Sequence, residues 1–243
     1  MSSPDHVRGP ETDEPGPVEW PSGWIVEHVA ETGSTNADLL AAAAQGAPDR
    51  SVRYADHQTA GRGRLDRVWT APPGSNLLVS MLFRTVPDDP GELTRRVGLA
   101  AVDAARRVAG VVAVLKWPND VLVGDEKLAG ILAQRAGDGS VVVGMGLNVG
   151  WAPDGAARLG DGIDPAAVLR SVLEAYDEMP VDIGSRFREV LDTLGRRVRI
   201  ELPVGELVGT AVDVEPDGRL VVLDDCAITH RVAVGDVVHL RPA

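Results

Sequence analysis

The segment Val52-Arg53-Tyr54-Ala55-Asp56-His57-Gln58-Thr59-Ala60-Gly61-Arg62-Gly63-Arg64 joins a strand pattern to a loop of alternating glycine and arginine. Glycine lets a backbone bend close to a ligand at positions where a Cβ atom would clash. Arginine offers a planar fork of donors that matches carboxylate and phosphate groups. The chain carries 36 Asp and Glu residues against 24 Lys and Arg, a net charge of −12, so this positive loop runs against its background. The sequence therefore predicts a loop that closes over a small anion.

Strand and helix patterns alternate on both sides of this loop. Apolar runs predict strands at residues 24–29, 52–57, 77–83, 114–117, 121–123, 128–134 and 140–149. Helical spacing of apolar residues predicts helices at 34–45, 93–108, 165–176 and 187–194, with Asp164-Pro165 as a start signal and Gly46 and Gly195 as stop signals. Short turns between the strands of 114–149 indicate hairpins. These patterns predict an α/β (α+β) fold built on a mixed sheet.

The two ends of the chain differ from this middle part. From Arg197 only short strand patterns remain, at 198–202, 207–214, 219–223, 228–232 and 237–240, which favours a small β-barrel. At the other end, five prolines stand among acidic residues before position 22, which predicts disorder. We therefore predict a disordered tail over 1–23, a catalytic domain over 24–195 and a C-terminal β-barrel domain over 196–243.

Composition narrows the class of protein. No run approaches the roughly 20 apolar residues that cross a bilayer, and the N-terminal segment has no signal-peptide pattern, so we expect a cytoplasmic protein. The single cysteine, Cys226, excludes an internal disulfide and a cysteine-rich zinc site. The acidic balance argues against general binding to nucleic acid, because phosphate contacts need a basic surface.

Phosphate-loop, dinucleotide and nucleophile-elbow motifs are missing or weak in this sequence. What remains is a set of groups that handle anions, Arg62, Arg64, Arg67, Lys116 and Lys127, and a neutral polar set, Ser34, Thr35, Asn36, Gln58, Asn119 and Asn148, with Asp120 at a turn. This mixture suits a reaction in which two anions meet, such as a carboxylate attacking the α-phosphate of ATP. Two unit charges about 4 Å apart repel by about 4 kcal/mol at an effective dielectric constant of about 20. Nearby cations lower that barrier, and Mg²⁺ is expected for the pyrophosphate.

Five segments resemble biotin–protein ligases, in the order found in that family. They are Glu31-Thr32-Gly33-Ser34-Thr35-Asn36, His57-Gln58-Thr59-Ala60-Gly61-Arg62-Gly63-Arg64, Leu115-Lys116-Trp117-Pro118-Asn119-Asp120, Lys127-Leu128-Ala129-Gly130-Ile131-Leu132 and Gly144-Met145-Gly146-Leu147-Asn148. The resemblance spans about residues 24–150, and the β-rich tail is similar to the C-terminal domain of the family. It implies a catalytic domain of the class II synthetase and biotin ligase type with an SH3-like barrel. It also implies biotin and ATP as substrates, Mg²⁺ with the ATP, and a lysine on a biotin carrier domain as acceptor.

The resemblance assigns roles to residues by position. Biotin contacts fall on Ser34, Thr35, Asn36, Gln58, Gly61, Arg62, Gly63, Arg64, Lys127 and Gly130, and nucleotide contacts on Arg64, Trp69, Asn119 and Asn148. Arg62 and Lys127 are the catalytic pair, which brings the carboxylate and the α-phosphate together. Asp120 is the candidate Mg²⁺ ligand. Hydroxyl and amide groups suit the neutral ureido ring of biotin, because they supply donors and acceptors without charge.

Several readings stay open at this point. A lipoate–protein ligase resembles this fold and chemistry, and a nucleic-acid-binding module could also use an arginine loop. Ser34 or Thr35 could serve only as a helix cap, Trp69 could be ordinary core, and Gly144–Gly150 could be a close strand approach. Asp66 stands where the family usually has glycine. Only about 23 residues precede the first predicted strand, so we expect no DNA-binding domain.

Overall fold

The computed structural model of the protein describes residues 18–64, 67–202, 205–233 and 235–240. Most of the predicted N-terminal tail and the unusual Asp66 lie outside these residues. The described part contains a seven-stranded sheet, a five-stranded sheet and four helices. None of these described helices combines the length and the apolar character that crossing a membrane requires.

The seven-stranded sheet is formed by strands between residues 25 and 147. Its strands are β1 (Ile25–Thr32), β2 (Ser51–Gln58), β3 (Leu77–Phe83), β4 (Val114–Lys116), β5 (Asp120–Val123), β6 (Glu126–Arg135) and β7 (Val141–Leu147). Their spatial order is β1-β2-β3-β7-β6-β5-β4. Strands β1 and β2 run parallel, whereas the other neighbours run antiparallel, so the sheet is mixed as predicted. Every residue of β3 is buried, which fits its central place and its apolar sequence.

The helices cover the two faces of this sheet unequally. They are α1 (Thr35–Ala44), α2 (Gly91–Ala109), α3 (Pro165–Asp177) and α4 (Gly184–Val190). Helices α2 and α3 pack against each other and bury one face together with Met81 and Val143. The ten-residue α1 packs on the opposite face, on Leu82 and Val142. Because α1 is short, part of that second face stays open.

The last fifth of the chain forms a separate antiparallel sheet. Its strands are β8 (Arg197–Glu201), β9 (Glu206–Val214), β10 (Leu220–Asp224), β11 (Thr229–Val232) and β12 (Asp236–His239). The order is β11-β10-β9-β8-β12. The predicted fold class is confirmed in this form, a mixed α/β unit followed by a β unit. Within the described residues β11 and β12 are the two edges of the second sheet, so no closed barrel is formed by their pairing.

Two elements end three or more residues from their predicted C-terminal ends, and tertiary pairing explains both. Strand β1 continues to Thr32 because its backbone pairs with β2 as far as Gln58. Helix α4 ends at Val190 rather than at Gly195, because the following residues pair with β4. Leu191 forms a parallel bridge with Leu115, and the Asp192 N–H donates to the Leu115 carbonyl at 2.8 Å. An apolar helix pattern alone does not show this competition.

A buried threonine connects the second sheet to the first. The Thr193 hydroxyl, which is fully buried, accepts the backbone N–H of Trp117 at 2.9 Å and lies 3.2 Å from His239 Nε2 at the end of β12. Burial, with help from the positive charges of Lys116 and Arg196, lowers the pKa of His239 to about 4 despite the carboxylates of Asp192 and Asp125. His239 is therefore neutral at pH 7, and a hydrogen bond joins its Nε2 to the Thr193 hydroxyl.

This histidine predicts a pH-dependent stability. Its pKa in the folded chain lies below the ordinary value of about 6.5, so the unfolded chain binds the proton more strongly. Stability is therefore lost as the pH falls from about 6.5 towards 4. We expect the free energy of unfolding in urea to drop by about 2 kcal/mol more in the wild type than in His239→Gln between pH 7 and pH 5. If the free energy of unfolding depended equally on pH in the two proteins, the effect could not be assigned to His239.

Candidate active site

A cavity of about 740 Å³ opens on the face of the first sheet that α1 only partly covers. Helix α1, the arginine loop after β2, and strands β3, β5, β6 and β7 all contribute walls. All but one of the residues singled out by resemblance line this one cavity: Ser34, Thr35, Asn36, Gln58, Arg62, Gly63, Arg64, Trp69, Asn119, Asp120, Lys127, Gly130 and Asn148. Gly61, the exception among the described residues, is buried at the base of the loop. Lys116 is not among the described residues that line the cavity.

The inner end of the cavity is neutral and polar. Ser34 is the N-cap residue of α1 by position, but in the described structure its side chain makes no capping hydrogen bond, so the hydroxyl is left at the cavity wall. The next residue, Thr35, donates its backbone N–H to Gln58 Oε1 at 2.8 Å. That bond fixes the orientation of the Gln58 amide, so its Nε2 is the donor on the other side.

Two glycines of β7 make room for side chains of the protein itself. A Cβ on Gly144 would lie 2.2 Å from Asn36 Oδ1, and a Cβ on Gly146 would lie 2.4 Å from Trp69 Cε2. Asn36 therefore packs directly on Gly144, and the Trp69 indole packs directly on Gly146. The sequence had left open that this glycine-rich segment allows a close approach to the strand. The approach is present, and the side chains of Asn36 and Trp69 occupy the space above the two glycines.

The arginine loop folds back on itself at the mouth of the cavity. The Gly63 N–H donates to the Arg67 carbonyl at 2.7 Å and the Trp69 N–H donates to the Gly61 carbonyl at 3.0 Å. Glycine is required at position 61, because a Cβ there would lie 2.4 Å from the Trp69 carbonyl oxygen. The loop thereby presents its arginines and Trp69 to the same space.

The second sheet holds the arginine loop from outside. Arg64 donates to Asn119 Oδ1 at 3.1 Å and to the Gly235 carbonyl at 2.7 Å. Arg67 forms an ion pair with Asp236 at the start of β12. No sequence pattern had indicated a site role for this strand. Because Gly235 and Arg64 are 171 positions apart, only the folded chain brings them together.

Lys127 and Asp120 form an ion pair at the floor near the loop. Their side-chain atoms Nζ and Oδ1 are 2.6 Å apart, and the Lys127 side chain is 38% exposed, so the ammonium remains accessible from the cavity. Lys127 Nζ also lies 5.7 Å from the centroid of the Trp69 ring. Gly130 allows this packing, since a Cβ there would lie 3.0 Å from Lys127 Nζ and 3.3 Å from Trp69 Cζ3.

Trp69 is neither core nor free surface. The residue is half-buried, and its Nε1 is buried without a hydrogen-bond partner among the described residues. The indole packs on Gly146, and the Lys127 ammonium lies 5.7 Å from its ring centroid. This position makes the ring an apolar wall of the cavity.

The two asparagines expected at the nucleotide are already bonded within the protein. Asn148 donates from Nδ2 to the carbonyls of Lys127 and Ala157 and accepts from Asn76, and the residue is 3% exposed. Asn119 donates to the Ile131 carbonyl and accepts from Arg64. Both residues lie on the cavity wall, but their amides fix the strands and the loop. Direct contacts of these amides with a nucleotide therefore stay a prediction.

The carboxylates in the cavity wall do not form a metal cage. In the described part of the chain, no group of three His, Cys, Asp or Glu side chains could hold a metal ion. Asp120 pairs with Lys127, Asp38 with Arg53, and Asp236 with Arg67. Mg²⁺ prefers oxygen ligands and often binds through one or two carboxylates together with substrate phosphates. A Mg²⁺ ion that arrives on a nucleotide, with Asp120 as a protein ligand, therefore stays a prediction.

Five polar residues of the described cavity wall had no predicted site role: Asp38, Thr70, Ser80, Gln134 and Asp236. Ser80 had a visible signal, since it is the single polar residue in the strand Leu77–Phe83. A buried hydroxyl in an apolar central strand needs a hydrogen-bond partner, and that need could have marked it. Gln134 and Asp236 had no such signal, because their place in the site follows from sheet pairing and from the second sheet.

Comparison with known proteins now identifies the family. A biotin--[acetyl-CoA-carboxylase] ligase of Mycobacterium tuberculosis is 44% identical over 248 aligned positions, which cover 90% of this chain and 91% of that protein. The chain belongs to the biotin protein ligase family. Residues 31–150 of this ligase match the biotin/lipoate A/B protein ligase family, and residues 193–240 match the biotin protein ligase C-terminal domain. The chain is thus an enzyme of the ligase class.

Further relatives agree with this placement. The bifunctional ligase/repressor BirA of Escherichia coli is 29% identical, over 78% of this ligase and 66% of BirA. A biotin protein ligase from Aquifex aeolicus, solved in complex with biotin and ATP, superposes with a TM-score of 0.77 over 90% of this chain and 99% of that one. Its sequence is 24% identical, so the superposition establishes the fold.

Proposed function

We propose that this ligase activates biotin with ATP to give biotinyl-5′-adenylate and then transfers the biotinyl group to a lysine of a biotin carrier protein. The carrier is a biotin-dependent carboxylase or one of its subunits, as the name of the Mycobacterium tuberculosis relative suggests. The names of the relatives support the choice of biotin, and the biotin and ATP complex of the Aquifex aeolicus ligase supports the choice of ATP.

One observation carries the proposal. A single cavity is lined both by the neutral set at its inner end, Ser34, Thr35 and Gln58, and by the cations near the loop, Arg62, Arg64 and Lys127. An acid with a neutral polar ring and an anionic tail matches this division, with the ring inward and the carboxylate towards the cations. A plain acyl chain would leave the inner polar groups unpaired, which costs binding free energy.

The first step needs the carboxylate and the α-phosphate to approach each other. Arg62 and Lys127 share the cavity, and their charges offset the repulsion between these two anions. The carboxylate oxygen attacks the α-phosphorus, and pyrophosphate leaves with the electron pair of the broken bond. When bound with ATP, Mg²⁺ supplies neutralisation of the pyrophosphate charge. Trp69 lies beside Lys127 and shields the mixed anhydride from water.

The second step needs an uncharged amine. A lysine has an ordinary pKa of about 10.4, so the acceptor must lose its proton near the site before it attacks the biotinyl carbonyl. AMP then leaves with the electrons of the anhydride bond. Asp120 is the carboxylate of the cavity that lies beside Lys127, and we propose it as an aid to this proton transfer.

In this proposal the chain has three segments with different roles. Residues 24–195 form the catalytic domain and residues 196–243 the C-terminal domain, with the segment before residue 24 as a tail. The contacts of Gly235 and Asp236 with the arginine loop support a role for the C-terminal part in shaping the site. We also propose that the enzyme acts in the cytoplasm.

The competing substrate is lipoate, since the matched family includes lipoate ligases. The test is ATP–pyrophosphate exchange with the purified full-length chain, with each acid in turn. We expect exchange with biotin and at least about 100-fold less with lipoate at equal concentration, because the inner hydroxyl and amide groups are then left without partners. Exchange with lipoate and none with biotin would overturn the proposal.

A further inference from the structure

A row of four polar side chains runs along the cavity wall from three buried residues to the exposed Gln134. Thr35 Oγ1 lies 2.7 Å from Ser80 Oγ, Ser80 Oγ lies 2.6 Å from Asn36 Oδ1, and Asn36 Nδ2 lies 2.8 Å from Gln134 Oε1. Ser80 is fully buried, and Thr35 and Asn36 are 3% and 7% exposed. Buried polar groups of this kind are costly unless each is paired, so the row specifies a single arrangement.

The register of the sheet holds this row in place. Ser80 on β3 pairs with Gly144 on β7, which pairs in turn with Leu132 on β6. The Asn36 amide lies across the three strands at Gly144, the one position without a side chain to obstruct it. It therefore reaches Ser80 on one side and the Leu132 carbonyl on the other, the latter at 3.3 Å.

The positions of the protons in the row follow from the partners. The Leu132 carbonyl can only accept, so the Asn36 amide turns its Nδ2 towards Leu132 and its Oδ1 towards Ser80. Because Asn36 Oδ1 can only accept, Ser80 donates its single proton to it. The Ser80 oxygen must then accept from Thr35, and the Thr35 hydroxyl proton points away from the ligand space.

The Thr35 hydroxyl is left as an acceptor. It also lies 3.1 Å from Gln58 Oε1, but one proton cannot serve both oxygens, and the contact with Ser80 is shorter at 2.7 Å. The lone pairs of Thr35 therefore remain for an N–H group, beside the donating Nε2 of Gln58. An acceptor beside a donor complements the N–H and C=O groups of a cyclic urea. An acid whose ring has neither an N–H nor a C=O group leaves the Thr35 oxygen and the Gln58 Nε2 without partners.

We propose that Ser80 is a positioning residue which, by taking the Thr35 proton, makes the Thr35 hydroxyl an acceptor and thereby selects a substrate with a ureido N–H. This inference rests on the proposed function for the identity of the acid. It adds a residue that does not touch the reacting atoms. The selectivity of the site then depends on which oxygen accepts the hydroxyl proton of Thr35.

The test compares Ser80→Ala with the wild-type full-length enzyme in biotin-dependent ATP–pyrophosphate exchange. We expect the KM for biotin to rise about 10-fold or more, with kcat and the KM for ATP within about twofold, because the cations at the other end of the cavity are unchanged. Ser171→Ala, a buried serine of α3 on the opposite face of the sheet, is the matched control and should leave all three values unchanged.

A double-mutant cycle separates positioning from simple loss of packing. If Ser80 acts through Thr35, then Ser80→Ala should raise the KM for biotin much less in a Thr35→Val background than in the wild type. The inference is wrong if the two substitutions raise the KM for biotin independently, so that their fold-changes multiply. It is also wrong if kcat falls while the KM for biotin is unchanged. Neither result would contradict adenylation itself. Absence of any exchange in the wild type would instead refute the proposed function. If Ser80→Ala does not fold, Ser80→Cys, with its weaker donor, should give an intermediate KM.

Discussion

Lys127→Ala is expected to lower the rate of biotinyl-adenylate formation by about 100- to 1,000-fold, the usual cost of removing one preorganised group that stabilises developing charge. The Lys127 ammonium lies in the cavity beside Trp69 and is paired with Asp120. Without it, the carboxylate and the α-phosphate lose one of the cations that offset their repulsion, and Asp120 adds an unpaired negative charge to the site.

Single-turnover formation of adenylate, measured with rapid quenching, tests this expectation. Lys116→Ala is the matched control, because the sequence has lysine only at positions 116 and 127 and Lys116 is outside the described cavity wall. We expect Lys116→Ala to retain the wild-type rate within about threefold. Normal pyrophosphate exchange in Lys127→Ala would show that the essential cation lies elsewhere.

Arg64→Gly is expected to release the adenylate from the enzyme at least about 10-fold faster. Arg64 ties the loop to Asn119 on one side and to the Gly235 carbonyl on the other, so its removal unfastens the loop from both anchors. Charge-assisted hydrogen bonds of this kind contribute roughly 1.5–3 kcal/mol each when buried. The activated acid should then react with bystander lysines.

An added lysine-rich protein that is not a carrier reports this leak. The ligase itself is a poor reporter, because it has only two lysines. Arg158→Gly is the control, since Arg158 is also a loop arginine bonded to a backbone carbonyl, that of Gly150, but it is not among the described residues of the cavity wall. Unchanged selectivity for the carrier in Arg64→Gly would count against a closing role for Arg64.

Local sequence was sufficient for most of the elements. The apolar run 77–83 is β3 residue for residue, and the predicted start at Asp164 is a cap whose side chain accepts the Ala166 N–H. Helix α1 ends at Ala44, just before the predicted stop signal Gly46, which lies in the left-handed region. These features depend on a few neighbouring residues, so the sequence shows them directly.

The parts that sequence could not give depend on distant partners. The sequence predicted Asn148 at the nucleotide, but it did not show the hydrogen bonds of this amide to Lys127, Ala157 and Asn76. The role of β12 beside the arginine loop requires residues 171 positions apart to meet. The end of α4 was missed because Leu191 pairs with β4. In each case a tertiary contact determines the local structure, and the local sequence pattern does not show that contact.

The most direct test of the charge arrangement is to look for the intermediate itself. The purified full-length chain is incubated with biotin, Mg²⁺ and ATP labelled at the α-phosphate, without a carrier, and is then separated from free nucleotide. We expect about one labelled biotinyl-adenylate to stay with each folded chain, and to be discharged as AMP when a biotin carrier fragment is added. Label that stays with the chain equally well without biotin, or no bound label at all, would contradict an active site that joins these two anions.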